Sequence, residues 1–267
     1  MGRASLGRDY FARIYAATSD PWNFSTSAYE HEKYRATIAA LGGRCFARAF
    51  EIGCSIGVLT SMLAAHLHFG QISPVEIALR VNESSAPAED REAFLEELII
   101  RRELAMNFAL HQPQYDQFAG LPSWARQTLK DRSADDRAYV YSRQELEEAR
   151  THDPYWNAAQ KEMILSGYMH NMMRMYWGKK ILEWKRTPQE AYGDALFLNN
   201  KYFLCGRDPA SYANIGWLFG LHDRPWAQRK IFGTVRYMNA AGLERKFDMP
   251  AYLKMVENME VEMKRLS

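Results

Sequence analysis

The sequence is poor in cysteine, with only Cys45, Cys54 and Cys205 among 267 residues. An odd, widely spaced set without a CxxC pair excludes a disulfide framework and has no zinc-site spacing, so no metal and a reducing, cytoplasmic setting are expected. No apolar run approaches the ~18 residues of a membrane span, and Arg3 and Arg8 lead into no apolar segment of signal-peptide type, so neither feature is expected. An excess of one charge is also lacking. Lys and Arg total 34 against 32 Asp and Glu, a formal charge of +2, so any nucleic-acid contact must come from a local patch. Internal repeats and low-complexity tracts are absent, and the chain is expected to act as a monomer.

Aromatic residues, in contrast, are abundant at 13%, with seven Trp and 15 Tyr, in a chain whose 47% hydrophobic and 25% charged content permits a sizeable core. Two of the seven Trp fall in Ser166–Trp184, SGYMHNMMRMYWGKKILEW, which reads as one helix. His170, Arg174, Trp177, Ile181 and Trp184 follow the i, i+4, i+7, i+11, i+14 spacing of one helical face. Core helices ordinarily fill such a stripe with Leu, Ile and Val. A buried guanidinium needs an anion and a buried indole N–H seeks an acceptor, so this face is expected to bind something.

Residues 5–41 read as two amphipathic helices separated by breakers at Thr18–Ser27. A short strand, Ala47–Ile52, then runs into Gly53-Cys54-Ser55-Ile56-Gly57, a glycine turn opening a helix, where backbone N–H groups can approach a nucleotide closely. The PWNF, YEHEKYRATIAAL and EIGCSIGVLT stretches of residues 9–60 resemble NodS-like class I S-adenosylmethionine methyltransferases. Nothing after Thr60 supplies the further strands and second acidic motif that such an enzyme needs, so a recruited segment is the favoured reading over methyl-donor binding.

Beyond Thr60 the pattern is helical. Pro74–Val81 is expected as a helix capped by Ser73, 82–90 as a polar loop, 91–110 as one long helix, and 124–130 as another, followed by a solvated charge run at 131–137. Further helices are expected at about 143–150, 155–166, 168–186, 188–200 and 210–221, and a charged, peripheral one at 251–266.

Several phrases in this region occur in one collinear order: LHFGQISP, EELIIRRELAMNF, SWARQTL, THDPYWNAAQ, MHNMMRMYWGKKILEW, GRDP and IFGTVRYMNAAGLERKFD. Together they resemble class II cyclobutane pyrimidine dimer photolyases over about residues 60–256. The resemblance implies a helical domain that holds FAD and splits pyrimidine dimers in UV-damaged DNA by light-driven electron transfer. It makes Trp156, Trp177 and Trp184 an electron-passing chain, where the residues alone favour three core tryptophans. It places Asn199 opposite the flavin, where the residues alone equally allow a helix C-cap, and Arg174 beside the isoalloxazine, with Cys205 standing where the family carries an Asp. Loss of that carboxylate commonly costs ~3–5 kcal/mol, unless Asp208 or a flavin oxygen substitutes.

The resemblance also assigns Thr60, Ser61 and Leu63 to a phosphate-binding turn in which Ala64 replaces a hydroxyl, and it adds Asn157, His170 and Asn171 to the cofactor set. Glu97, Met175 and Trp217 are implied to meet the lesion, although Glu97 could equally be a helix-surface carboxylate. Arg236, Arg245 and Lys246 fall in a basic, aromatic stretch at 224–246 that suits phosphate contacts and stacking, or a solvated face.

The expected organisation is therefore a small α/β methyltransferase-like fragment (1–60), a mainly α photolyase-type FAD-binding domain (61–256) lacking its antenna half, and a helix end (257–267). Light-driven repair is the leading expectation. A flavin- or DNA-binding remnant without repair, and a methyltransferase, remain the alternatives.

Overall fold

The computed structural model describes residues 66–245 and 247–266. The elements expected within 5–60, together with Thr60, Ser61, Leu63 and Lys246, lie outside the described residues. Among the described residues the chain is mainly helical, as expected, and the β-type pairing consists of one isolated antiparallel bridge between Arg229 and Gly233.

Helix starts follow local chemistry. The Ser73 hydroxyl accepts from Glu76 N–H to cap α1 (Pro74–Glu83), and Pro at N1 gives up an N–H that has no intrahelical partner. Helix α2 (Ala88–Leu95) begins inside the stretch expected as a loop, where Glu89 and Asp90 complement a helix N-terminus. It continues through a π-helical turn (Glu96–Arg101) into α3 (Arg102–His111). The expected 91–110 helix is thus one rod with a widened turn.

Helix α4 (Ser123–Asp131) follows, then α5 (Arg143–Glu147), which opens on a capping box between Ser142 and Glu145. Three central helices, α6 (Pro154–Ser166), α8 (Pro188–Tyr202) and α9 (Pro209–Leu218), each start at a Pro preceded by a capping Asp or Thr: Asp153, Thr187 and Asp208.

The stretch Ser166–Trp184 is not one helix. Helix α6 ends at Gly167, whose φ of +68° is left-handed, and α7 (Asn171–Trp184) begins four residues later with the His170 ring accepting from Met172 N–H. His170 therefore caps the helix instead of sharing its functional face. The break follows from Gly167, because the left-handed conformation favours glycine. A Cβ there would also lie 2.5 Å from Leu204 Cγ.

Helix α7 is the centre of the molecule. It packs against α6, α8 and α9 and touches the short α10 (Ala240–Glu244), and it buries residues on nearly every side, including Met173, Tyr176, Trp177, Ile181 and Trp184. A helix buried all round reads as apolar without a clear stripe. Together with α6, α8 and α9 it carries the site described below.

The terminal helix α11 (Met249–Leu266) is not peripheral as expected. It packs along α6, burying Met249 and Val256, pairing Glu260 with Lys161 at 3.1 Å, and placing the Tyr252 hydroxyl on the buried Glu162 carboxylate. Burial outweighs the hydrogen bonds from Tyr252 and the His170 backbone and pushes the Glu162 carboxyl up to about 7. Between the ordinary carboxyl range and that value the folded state holds a proton that the unfolded state has released, so stability falls as pH rises from about 4.5 to 7 and then levels. Glu162→Gln is expected to remove this slope. Thermal melts at pH 5 and pH 8 should show the wild type losing about 1–3 kcal/mol relative to the variant at the higher pH.

Candidate functional site

The three tryptophans singled out in the sequence come together. Trp156 on α6 stacks on Trp177 of α7 with ring centroids 6.4 Å apart and planes within 7°, and it meets Trp184 edge-on at 5.5 Å. Trp156 is thus the middle ring, in contact with both others. All three are buried, and both inner indoles have acceptors: Trp156 Nε1 donates to the Trp177 carbonyl at 2.9 Å and Trp177 Nε1 to Gln160 Oε1 at 2.8 Å. Gln160 lies one turn beyond Trp156. It went unrecognised in the sequence, although a polar residue in an otherwise buried stretch was the signal for it.

The spacing of these rings is set by Asp153. Its carboxylate accepts from Tyr155 N–H and Trp156 N–H at the start of α6, and also from the Tyr176 hydroxyl on α7. One acid therefore pins the helix carrying Trp156 to the helix carrying Trp177.

One turn before Trp177, Arg174 reaches α8 and α9. Its Nη2 donates to Asn199 Oδ1 and, at 3.0 Å, to Ser211 Oγ, while the guanidinium lies 4.0 Å from the centroid of the Phe203 ring. Cys205 Sγ is 4.0 Å from Nη1. Among the described residues no carboxylate takes the place of the expected Asp: Asp208 instead caps α9 through Ala210 N–H and contacts His68 Nδ1 at 3.2 Å. The charge of Arg174 is therefore without a bonded acid among the described residues, and its buried Nε has no hydrogen-bond partner.

Asn199 is fully buried and its amide donates to Ser211 Oγ at 2.8 Å and to Asn200 Oδ1 at 2.9 Å. A partly buried cation with an unused donor, flanked by a buried amide, suits an anionic or electron-rich planar group. Ser211 and Phe203 were missed in the sequence, since neither a hydroxyl two residues past a helix-opening Pro nor a Phe after a helix has a distinctive pattern.

Other expected residues fall elsewhere. Asn157 holds the loop before α6, accepting from Thr151 N–H and hydroxyl and donating to the Thr151 carbonyl. His170 packs edge-on against Phe247 at 4.6 Å, and burial lowers its pKa. Asn171 is the first residue of α7, and Met175 is half-buried against the core.

Glu97 lies in the π-helical turn, half-buried, with its carboxyl pushed up by burial although Arg101 is 4.0 Å away. Single π turns inside α-helices often mark functional positions. Trp217, near the end of α9, forms a platform with the following loop: the Arg236 guanidinium stands 5.6 Å from the Trp217 ring and 4.3 Å from Trp226, with Asp223 at 3.2 Å. Arg224 lies over the other part of this platform, 5.1 Å from Trp226, and Arg245 is exposed. Among the described residues no group of His, Cys, Asp and Glu could hold a metal, and no helix is long and apolar enough to cross a membrane.

Comparison with known proteins finds two separate similarities. A family model described as Nodulation protein S (NodS) matches residues 7–86, running past the boundary expected at residue 60. Nodulation protein S of Azorhizobium caulinodans is 36% identical over 73 residues, 27% of this chain and 33% of that protein. The deoxyribodipyrimidine photo-lyase of Methanothermobacter thermautotrophicus is 54% identical over 199 residues, 74% of this chain and 44% of that one. That of Oryza sativa subsp. japonica is 50% identical over 207 residues, covering 77% and 41%. The chain therefore spans under half the length of the curated photo-lyases it matches.

Proposed function

We propose that this chain, which joins a region similar to nodulation protein S to a larger region similar to deoxyribodipyrimidine photo-lyases, is a flavoprotein that splits cyclobutane pyrimidine dimers in UV-damaged DNA using light. The observation that carries this reading is the buried contact series Trp177, Trp156 and Trp184, with the acid-free, part-buried Arg174 bonded to the buried Asn199 one turn before Trp177 on the same helix. Arg174, Asn199 and Ser211 would hold FAD, with Cys205 beside them. When bound, FAD would supply a light-absorbing electron donor.

The protein's own groups have distinct tasks in this reading. Arg174 offers positive charge and its unused Nε–H to an electron-rich edge, and Asn199, whose amide accepts from Arg174 and donates to Ser211 and Asn200, would have to exchange one of these bonds to face the flavin. The stacked indoles pass single electrons inward, and their burial keeps water from the oxidised rings. Trp217 and Met175 would provide apolar contact for bases taken out of the stack, and Glu97, which burial shifts toward its protonated form, could donate a hydrogen bond to a pyrimidine carbonyl. Arg236, Arg245 and Arg224 would meet phosphates.

The test is reconstitution of the purified chain with FAD, followed by illumination with an oligonucleotide carrying a thymine dimer. Uptake of flavin with light-dependent loss of dimers is the expected result, and no flavin absorbance after reconstitution would end this reading. A second reading, flavin or DNA binding without repair, is favoured by Cys205, which leaves Arg174 without its carboxylate. Flavin uptake with no loss of dimers would select it.

A further inference from the structure

Trp184 does not end in featureless core. It forms part of the wall of a surface cavity of about 480 Å³, which is shared by Arg137, Tyr139, His152, Arg229 and Lys230 among others. We infer that this cavity binds a planar aromatic anion, of the size and charge of a mononucleotide, that delivers single electrons to Trp184. The inference rests on the redox role proposed above for the tryptophans.

Three observations support it. First, the walls are built for a flat ring. Tyr139 and His152 stack with centroids 3.6 Å apart and planes within 17°, and the His152 ring is itself 5.5 Å from Trp184. Phe232 and Tyr237 line the same space. A volume of this size lies within the usual range of small-ligand sites, ~300–1,000 Å³.

Second, the charge available to a ligand is positive. Arg137 spends its donors on the backbone carbonyls of Lys185, Arg132 and Asp135 rather than on a carboxylate. Neither Arg229 nor Lys230 forms an ion pair among the described residues. Of the two acids in the lining, Glu183 is already paired with Lys180 at 2.8 Å, which leaves Asp136 against three cations.

Third, the loop that carries Arg229 and Lys230 is held in place at a local cost. Ile231 has a φ of +69°, a region that a β-branched residue rarely enters. It is kept there by the Asp135 carboxylate, which accepts from Ile231 N–H at 2.7 Å, by the Arg229–Gly233 bridge, and by Thr234 N–H donating to Thr128 Oγ1 at 3.0 Å. Such strain persists where the surroundings over-determine it, and it clusters at ligand sites.

In the redox step, Trp184 that has lost one electron inward toward Trp156 regains one from the seated donor. The indole returns to its neutral form, the donor is left one electron poorer, and no proton need move.

The test uses FMN as the probe on protein already loaded with FAD, so that the inner site is filled. Calorimetric titration is expected to show one FMN bound per chain, with Arg229→Ala/Lys230→Ala weakening it roughly tenfold while FAD content and melting temperature stay unchanged. With reduced FMN, the lifetime of oxidised Trp184 after a flash should shorten and reach a plateau at the concentration that saturates binding. Equal affinity in wild type and double variant overturns the proposal, as does a rate that rises linearly with FMN without a plateau. Displacement of FMN by dimer-containing duplex would reassign the cations to the DNA backbone and likewise overturn it. If the chain takes up no FAD, the reading of the tryptophan line fails on that absorbance alone, and the FMN titration of wild type against the double variant still decides whether the cavity binds this class of ligand.

Discussion

Trp156→Phe is expected to abolish light-driven reduction of bound FAD while dimer repair by chemically reduced protein continues. Trp156 is the one ring in contact with both Trp177 and Trp184, which stand two turns apart on α7, ~10.5 Å of rise. Phenylalanine fills most of the space but is far harder to oxidise than indole, so the line is cut in its middle with little change in shape. The stability cost should stay near ~1–3 kcal/mol, from the lost Nε1–H donation to the Trp177 carbonyl. Flavin bleaching under blue light, measured beside repair after dithionite reduction, separates the two functions. Normal photoreduction in the variant would show that Trp156 is only a core residue.

Gly178→Val is expected to give the largest loss of stability of any single change considered, ~3 kcal/mol. A Cβ at position 178 would lie 2.2 Å from Leu218 Cδ1 and 2.9 Å from both Cδ2 and Cγ, and Leu218 is buried where α9 crosses α7. All three contacts are with one buried side chain, so Leu218 must shift within the core to make room. Leu218→Ala should relieve part of the clash, so that the double variant is more stable than the sum of the single losses by about 1–2 kcal/mol. Denaturant melts of the four proteins in this cycle test it, and simple additivity would place the clash elsewhere.

Much of this architecture was legible in the chain. Ser73-Pro74, Asp153-Pro154, Thr187-Pro188 and Asp208-Pro209 each announce a helix start, and all four are where helices begin. The tryptophans at 177 and 184 were legible because seven residues return a helix to nearly the same face. The order of the three rings was not, since Trp156 comes from another helix and only packing shows that it lies between the other two. The break at Gly167 falls between the helices expected at 155–166 and 168–186, but the three further residues before α7 and the cap from His170 do not follow from the pattern, since His170 shares the spacing of the helical face. Cys205 was recognised as a departure, yet the partners that replace its carboxylate, Asn199 and Ser211, come from two different helices and could not be inferred from spacing. The closeness of α11 to Glu162 was hidden for the same reason: its partner residues lie on another helix, and the charged residues spread along α11 read as a solvated surface.

The Asp153 carboxylate, which accepts from both the start of α6 and Tyr176 of α7, makes the distance between the Trp156 and Trp177 rings a property of the whole helix pair. Electron passage should therefore not weaken gradually on warming. Its speed should stay nearly level with temperature and then vanish together with the cooperative unfolding of these two helices, so that the relay and the core share a single melting point.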